Sequence, residues 1–392
     1  MFGKIGLVVV IVFLIGYGFA SAPNNSEGRV QALVVFEEKP SKADIDWLES
    51  QGAVIRYEYK IIPGVALNIP QQAIDRVRGR AGVKFVELDS IVHATAKPEN
   101  PGKPKPEQPP QEVPWGIGRI DADLAWNYSN GTGVKVAVLD TGIDKDHPDL
   151  DDNFVEGVSF SAGPPGGKDQ NGHGTHVAGT VAAENNEIGV VGAGPRASLY
   201  AVRVLNKEGW GWVSDVIAGI DWSVQNGMQI ITMSLGSDSD SQSLHDACDN
   251  AYSRGLLLIA AAGNDGDEGE DYPGGNVDYP ARYSSVIAVA ATDINDGRPA
   301  WSSYGPEVEL AAPGVGVKST WLDDGYATLD GTSMATPHVT GTAALILAKN
   351  PTLTNEDVRN ILKTTAEDLG AEGFDIYYGY GLVDAEEATL SS

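Results

Sequence analysis

Three side chains in this sequence together make a weak nucleophile strong, and they occur in the order Asp140, His173, Ser333. A serine hydroxyl is a poor nucleophile at neutral pH and needs a base. The base, an imidazole, needs a carboxylate to hold its tautomer and to stabilise the imidazolium. Each of the three stands where one element ends or another begins. The apolar run 134–139 stops at Asp140-Thr141-Gly142, a carboxylate followed by a turn. Asn171-Gly172-His173-Gly174-Thr175-His176 opens one helical stretch, and Gly331-Thr332-Ser333-Met334 opens another that runs through Ala348. The Ser333 N–H therefore lies at a positive helix end. Singly, each segment also reads as a turn, a packed loop or a helix start. His176 lies one helical turn after His173 in an apolar run and reads as a packed core histidine. His147, in Asp-His-Pro-Asp, reads as turn structure. No Glu stands between His173 and His176 in the metalloprotease arrangement, which disfavours zinc.

The elements that must hold these groups follow a pattern. From residue 111 onward, buried-type strands at 134–139, 199–204, 229–234, 256–261 and 286–290 are interspersed with helices at 174–183, 214–226 and 243–254. That alternation predicts an α/β fold, a parallel sheet flanked by helices, with the site at the carboxyl ends of the strands. Asp140 follows one strand directly, and Asn264 follows another through Ala262-Gly263. Residues 29–88 read as a separate small α+β, ferredoxin-like unit. Its strands are at 30–36, 54–59, 65–69 and 83–88, with helices at 41–51 and 70–80, the first capped by Ser41. Between the two lies 97–110, a Pro-rich, extended stretch without a core.

Residues 1–22 read as a cleaved secretory leader. Lys4 precedes an apolar run over 5–19, and Ala20 and Ala22 follow in small-residue contexts. The run is short for a bilayer span, which takes about 20 residues. The protein is thus expected to be exported, with no stable membrane insertion after cleavage. Its one cysteine, Cys248, permits no intramolecular disulfide and reads as a small packed side chain. Stability must then come from the core or from bound ions. The net charge is −27, and from Gln111 onward 42 acidic residues face 14 basic ones. That balance disfavours nucleic acid as a partner.

The order of the three groups separates the possible hydrolases. Nucleophile-elbow hydrolases run Ser, acid, His; chymotrypsin-like proteases run His, Asp, Ser; Asp, His, Ser is the subtilisin order. At these motifs, and from about Gln111 to the C-terminus, the chain resembles the subtilisin-like serine proteases (subtilases). Over 29–95 it more weakly resembles their propeptide, an intramolecular chaperone and inhibitor, with Val92-His93-Ala94-Thr95 as its tail. An acyl hydrolase acting on esters is disfavoured, because no glycine stands two residues after Ser333. An inactive binding version of the fold is disfavoured by the complete set of groups.

The resemblance implies a secreted, autoprocessed serine endopeptidase of broad specificity, acting on proteins and peptides as a monomer. It divides the chain into leader (1–22), propeptide (23–95), linker (96–110) and catalytic domain (111–392). It implies Ser333 as nucleophile, His173 as general base, Asp140 as its orienting carboxylate, and Asn264 as oxyanion donor. Substrate would lie as an extended strand between Gly209-Trp210-Gly211 and Ser234-Leu235-Gly236, with Ala261 and Gly263 also lining the site. Calcium is the implied cofactor. Asp149, Gln111 and Asn186 would give side-chain oxygens, and Glu184, Ile188 and Val190 their carbonyls. A weaker second site would use the carbonyls of Ala281, Tyr283 and Val286 with Glu307 and Glu309. Asp278, placed by Tyr279-Pro280, falls at the floor of the primary specificity pocket, with Asp265 near its rim. A carboxylate there would favour Lys or Arg before the scissile bond.

Overall fold

A computed structural model describes residues 28–96, 108–266 and 274–392. The leader and most of the Pro-rich linker lie outside the described residues. Residues 28–96 form the expected α+β unit. Its four strands lie in the order Val54–Glu58, Gly64–Pro70, Arg29–Phe36, Val83–Leu88, every neighbouring pair antiparallel. Helix Lys42–Ser50 starts at a full capping box. The Ser41 hydroxyl accepts from Asp44 N, and the Asp44 carboxylate accepts from Ser41 N. Leu33 and Val35 alternate with Val34 and Phe36, so the sheet buries one face under its own helices and the other against the rest of the chain.

The larger part is built on a seven-stranded, all-parallel sheet. Its order is Val308–Pro313, Ile287–Thr292, Leu257–Ala261, Ile230–Met233, Lys135–Asp140, Ser198–Arg203, Phe154–Ser159. Both faces are covered, as the near-continuous apolar strands require. Val136 and Val138 join a core with Val177 of helix His173–Ala182 and Val339 of helix Thr332–Lys349. Ala137 and Leu139 point the other way, into a core with Val216 and Ile220 of helix Val213–Gln225 and Ala247 and Cys248 of helix Gln242–Ser253. Leu33, Val35, Tyr59 and Ile61 of the small unit share this second core.

Two edge strands of the sheet, Phe154–Ser159 and Val308–Pro313, lie outside the strands expected from periodicity, as does the antiparallel hairpin Val317–Trp321 with Gly325–Leu329. His176 is fully buried, with Nε2 3.0 Å from Val317 O and 3.1 Å from Ala327 O. Burial holds its pKa down at about 3, so it is a neutral structural donor between the helix and the hairpin. Cys248 is likewise buried, and burial pushes its thiol well above the usual range.

Candidate active site

Asp140 ends the strand Lys135–Asp140, and His173 is the first residue of its helix. Their side chains meet, Asp140 Oδ1 to His173 Nδ1 at 2.7 Å, and both are buried. That bond fixes which imidazole nitrogen carries the proton and leaves Nε2 as the acceptor. Ser333 is the second residue of helix Thr332–Lys349. Its hydroxyl donates to Ser234 O at 3.0 Å and lies 2.6 Å from Thr95 Oγ1. His173 Nε2 and Asp140 Oδ2 have no hydrogen-bond partner among the described residues. The hydroxyl is thus turned toward Ser234 and Thr95 while the imidazole acceptor stands open. A cavity of about 150 Å³ opens beside His173, bounded by Asn171, Gly209, Trp321 and Leu329.

The chain itself fills the cleft. Strand Ile91–Ala94 lies between two others as the middle of an antiparallel sheet. On one side it pairs with Trp210–Trp212, Val92 opposite Gly211 and His93 opposite Trp210. On the other it pairs with Leu235–Gly236, Ala94 opposite Leu235. Ala94 N donates to Gly209 O (2.9 Å), and Thr95 N to Ser234 O (3.3 Å). Both expected edges, Gly209-Trp210-Gly211 and Ser234-Leu235-Gly236, are therefore the edges that hold this extended segment. Gly263 lies at the cleft, whereas Ala261 is buried at the end of its strand, paired with Val289.

Thr95 carries its carbonyl to Asn264, whose Nδ2 donates to Thr95 O at 2.6 Å. The amide is held the right way round by Thr332. Asn264 Oδ1 accepts from Thr332 N and from Thr332 Oγ1, each at 3.0 Å. Both bonds take the oxygen, so the NH₂ must face Thr95. Thr332 is a positioning residue that sequence reasoning missed; its only signal was its place before Ser333. The Thr95–Ala96 peptide thus has its carbonyl on a donor and a serine hydroxyl beside it.

Away from the cleft, the expected calcium residues come together. Asp149 is fully buried and accepts from Val190 N at 2.9 Å and from Asn186 Nδ2 at 3.0 Å. Gln111 Nε2 donates to Glu184 O at 2.7 Å and reaches Val190 O at 3.5 Å. Ile188 N donates to Asn186 Oδ1 at 2.8 Å. Burial pushes the Asp149 carboxyl up to about 6, the mark of an anion without a nearby positive charge. The donors are one carboxylate, two amides that offer oxygen after a half-turn, and carbonyls. Such an all-oxygen set fits a hard cation and no thiophilic one.

In the second expected cluster the carboxylates pair with arginines. Glu309 gives both carboxylate oxygens to the Arg359 guanidinium, which also donates to Val286 O at 3.4 Å. Glu307 pairs with Arg282 at 3.3 Å. Of the five residues expected there, Glu309 and Val286 thus meet the buried Arg359 guanidinium and Glu307 meets Arg282. Arg359 comes from helix Asn355–Thr364, which nothing local to that cluster announces.

Compared with known proteins, residues 131–381 match the model of the Subtilase family. An alkaline protease of Alkalihalobacillus alcalophilus is 41% identical over 401 aligned residues, covering 99% of this chain and 98% of that protein. Subtilisin Savinase of Lederbergia lenta is 52% identical over 280 residues, 71% of this chain and 99% of that protein. A thermostable alkaline protease of Halalkalibacterium halodurans is 43% identical over 366 residues, 93% of each.

Proposed function

The chain belongs to the subtilase family and is a serine endopeptidase; on that footing we propose that it is a secreted enzyme of broad specificity, made as a zymogen that cuts itself after Thr95. The observation that carries this reading is the Thr95 carbonyl on Asn264 Nδ2, at the end of a strand held by two backbone edges, with the Ser333 hydroxyl beside it. Ser333 Oγ attacks the carbonyl carbon and gives its proton to His173 Nε2, while Asp140 stabilises the imidazolium. Asn264 Nδ2 and the Ser333 N–H take the developing oxyanion. His173 then returns the proton to the departing amine, and water, entering beside His173, repeats the sequence on the acyl-enzyme. Recognition through main-chain bonds supports breadth, since every residue offers them.

In this reading residues 1–22 are removed on export and 23–95 are the propeptide, which stays in the cleft as inhibitor. Residues 96–110 link it to the catalytic domain, 111–392, which acts as a monomer on protein and peptide substrates. A phosphonyl fluoride tests the nucleophile. It should inactivate the enzyme with one adduct, on Ser333, by peptide mass mapping; an adduct elsewhere, or full activity after labelling, refutes the assignment.

Calcium is the proposed cofactor, held by Asp149, Gln111, Asn186 and the carbonyls of Glu184, Ile188 and Val190. It would supply the positive charge that the buried Asp149 lacks, and so stabilise the loop, remote from the chemistry. At calcium 100 times its Kd, binding to the folded state alone contributes about 2.7 kcal/mol. For a domain of this size that is about 5–10 °C in Tm. Asp149→Ala is expected to remove this calcium-dependent rise in a thermal melt. A mutant whose Tm climbs with calcium as the wild type's does would refute the ligand set.

A further inference from the structure

The peptide after Thr95 is seated for attack, yet the nucleophile is turned from its base. The Thr95 carbonyl accepts from Asn264 Nδ2 at 2.6 Å. Glycine at 331 leaves that carbonyl room, since a Cβ there would lie 2.6 Å from Thr95 O. Attack needs the Ser333 proton on His173 Nε2 and a lone pair of Ser333 Oγ on the Thr95 carbonyl carbon. The Ser333 hydroxyl instead donates to Ser234 O at 3.0 Å. His173 Nε2 is buried and has no hydrogen-bond partner among the described residues.

Two residues hold Ser333 in this orientation. Ser234 grips it twice, through its carbonyl and through its own hydroxyl, which donates to Ser333 O at 2.9 Å. Ser234 belongs to the enzyme and acts on every bound strand alike. The second residue belongs to the strand itself. Thr95 Oγ1 lies 2.6 Å from Ser333 Oγ. A serine hydroxyl carries one proton, and that of Ser333 is already given to Ser234, so here the Thr95 hydroxyl donates and Ser333 Oγ accepts. The bond therefore engages a lone pair of the attacking oxygen. Thr95 is 9% exposed, and its hydroxyl has no other partner among the described residues. When Ser333 swings to His173, a buried hydroxyl is left unpaired. The branched β-carbon of Thr95 limits the rotations by which that hydroxyl could follow.

We infer that the Thr95 hydroxyl is a brake on the first cut, holding Ser333 away from His173 and so keeping the propeptide attached while the catalytic domain folds. This rests on the zymogen reading above and adds the regulation of the same site. The bond exists before attack and is broken on the way to the transition state, so it raises the barrier. One such bond is worth about two- to tenfold in rate. The same contact forms with any peptide that carries Thr before the scissile bond. Thr substrates are then slow relative to Val substrates, which have the same shape and no donor.

The test has two arms. In the first, the cut of full-length wild type, Thr95→Val and Thr95→Ser is followed by intact mass, with folding timed by tryptophan fluorescence. Once folded, Thr95→Val should be cut about two- to tenfold faster than wild type. Thr95→Ser, which restores the hydroxyl, should return to the slow rate. In the second arm, matched tetrapeptide anilides ending in Thr or Val meet an excess of activated enzyme in single turnover. The maximal rate should be higher for Val by a similar factor, a difference that two side chains of one shape would not produce by fit alone. This arm decides the matter if Thr95→Val folds poorly. Equal maximal rates, or a faster Thr anilide, with wild type still cut after Thr95, overturn this inference alone. A wild-type precursor that is never cut between Thr95 and Ala96 overturns the zymogen reading with it.

Discussion

Ser333→Ala is expected to abolish peptide hydrolysis and to leave the precursor uncut between Thr95 and Ala96. Loss of the equivalent serine in subtilisin, a relative, lowers turnover about 10⁶-fold, a magnitude taken over here rather than derived. The geometry gives the reason for a loss so large. The carbonyl of Thr95 is already on Asn264 Nδ2, and the chain is already fixed by backbone bonds on both sides. Removing the Ser333 hydroxyl leaves binding and oxyanion stabilisation in place and takes away only the attacking atom. Substrate affinity should therefore change little while turnover collapses, a split that misfolding would not produce. The checks are anilide hydrolysis, a peptide-aldehyde-free binding assay, and the intact mass of the purified chain. A Ser333→Ala precursor that still cuts itself at Thr95 would remove Ser333 from the mechanism.

The groups of the site were legible in the sequence because each lies at an element boundary with a local signature. Asp140 follows an apolar strand, and His173 and Ser333 open helices flanked by glycine and threonine. The two edges that hold Ile91–Ala94 were legible for the same reason, as short Gly-containing segments. What escaped is non-local. Phe154–Ser159 is an edge strand with none of its six residues fully buried and a glycine inside, so it lacks the apolar run of its buried neighbours. Val308–Pro313 carries Glu309 and ends in proline, both of which hide a strand from pattern reading. Thr332 orients Asn264 across 68 residues of sequence, and no spacing rule reports that. Arg359 reaches Glu309 across 50 residues, and no local pattern announces that pair either. Pairing between distant charges is set by helix placement, which the sheet order decides.

The grip of the proposed propeptide on the catalytic domain is expected to slacken by up to about tenfold per pH unit between pH 4 and 7, and to change little above. The cause is a buried cluster between the two parts. The Asp89 and Asp215 side chains are 1% and 2% exposed, and a single guanidinium, Arg56, lies 3.6 Å from the first and 2.7 Å from the second. Tyr57 donates to Asp215 at 2.8 Å, Tyr59 donates to Ser214 O at 2.9 Å, and Ser214 N donates to Asp89 at 3.0 Å. Two buried acids sharing one cation leave an excess negative charge, so one acid holds its proton. Burial pushes Asp89 up to about 7 and Asp215 up to about 6. Apart, both return to water and to ordinary carboxylate values near 4. A pKa raised in the assembled state contributes stability that is complete below the free value and is lost as pH rises through the bound one. Separation thus releases protons, and neutral to alkaline medium favours it. His93 works in the opposite sense, since burial lowers its pKa against the charge of Asp238, but it lies at the cleft beside Gly209 and His173, apart from the cluster. The measurement is hydrogen exchange by mass spectrometry on the full-length Ser333→Ala precursor, corrected for intrinsic rates. Opening of residues 28–96 should become more frequent from pH 5 to 7 in that protein and stay level once Asp89→Asn is added. The same pH slope with and without Asp89→Asn would show that this carboxyl does not carry the linkage.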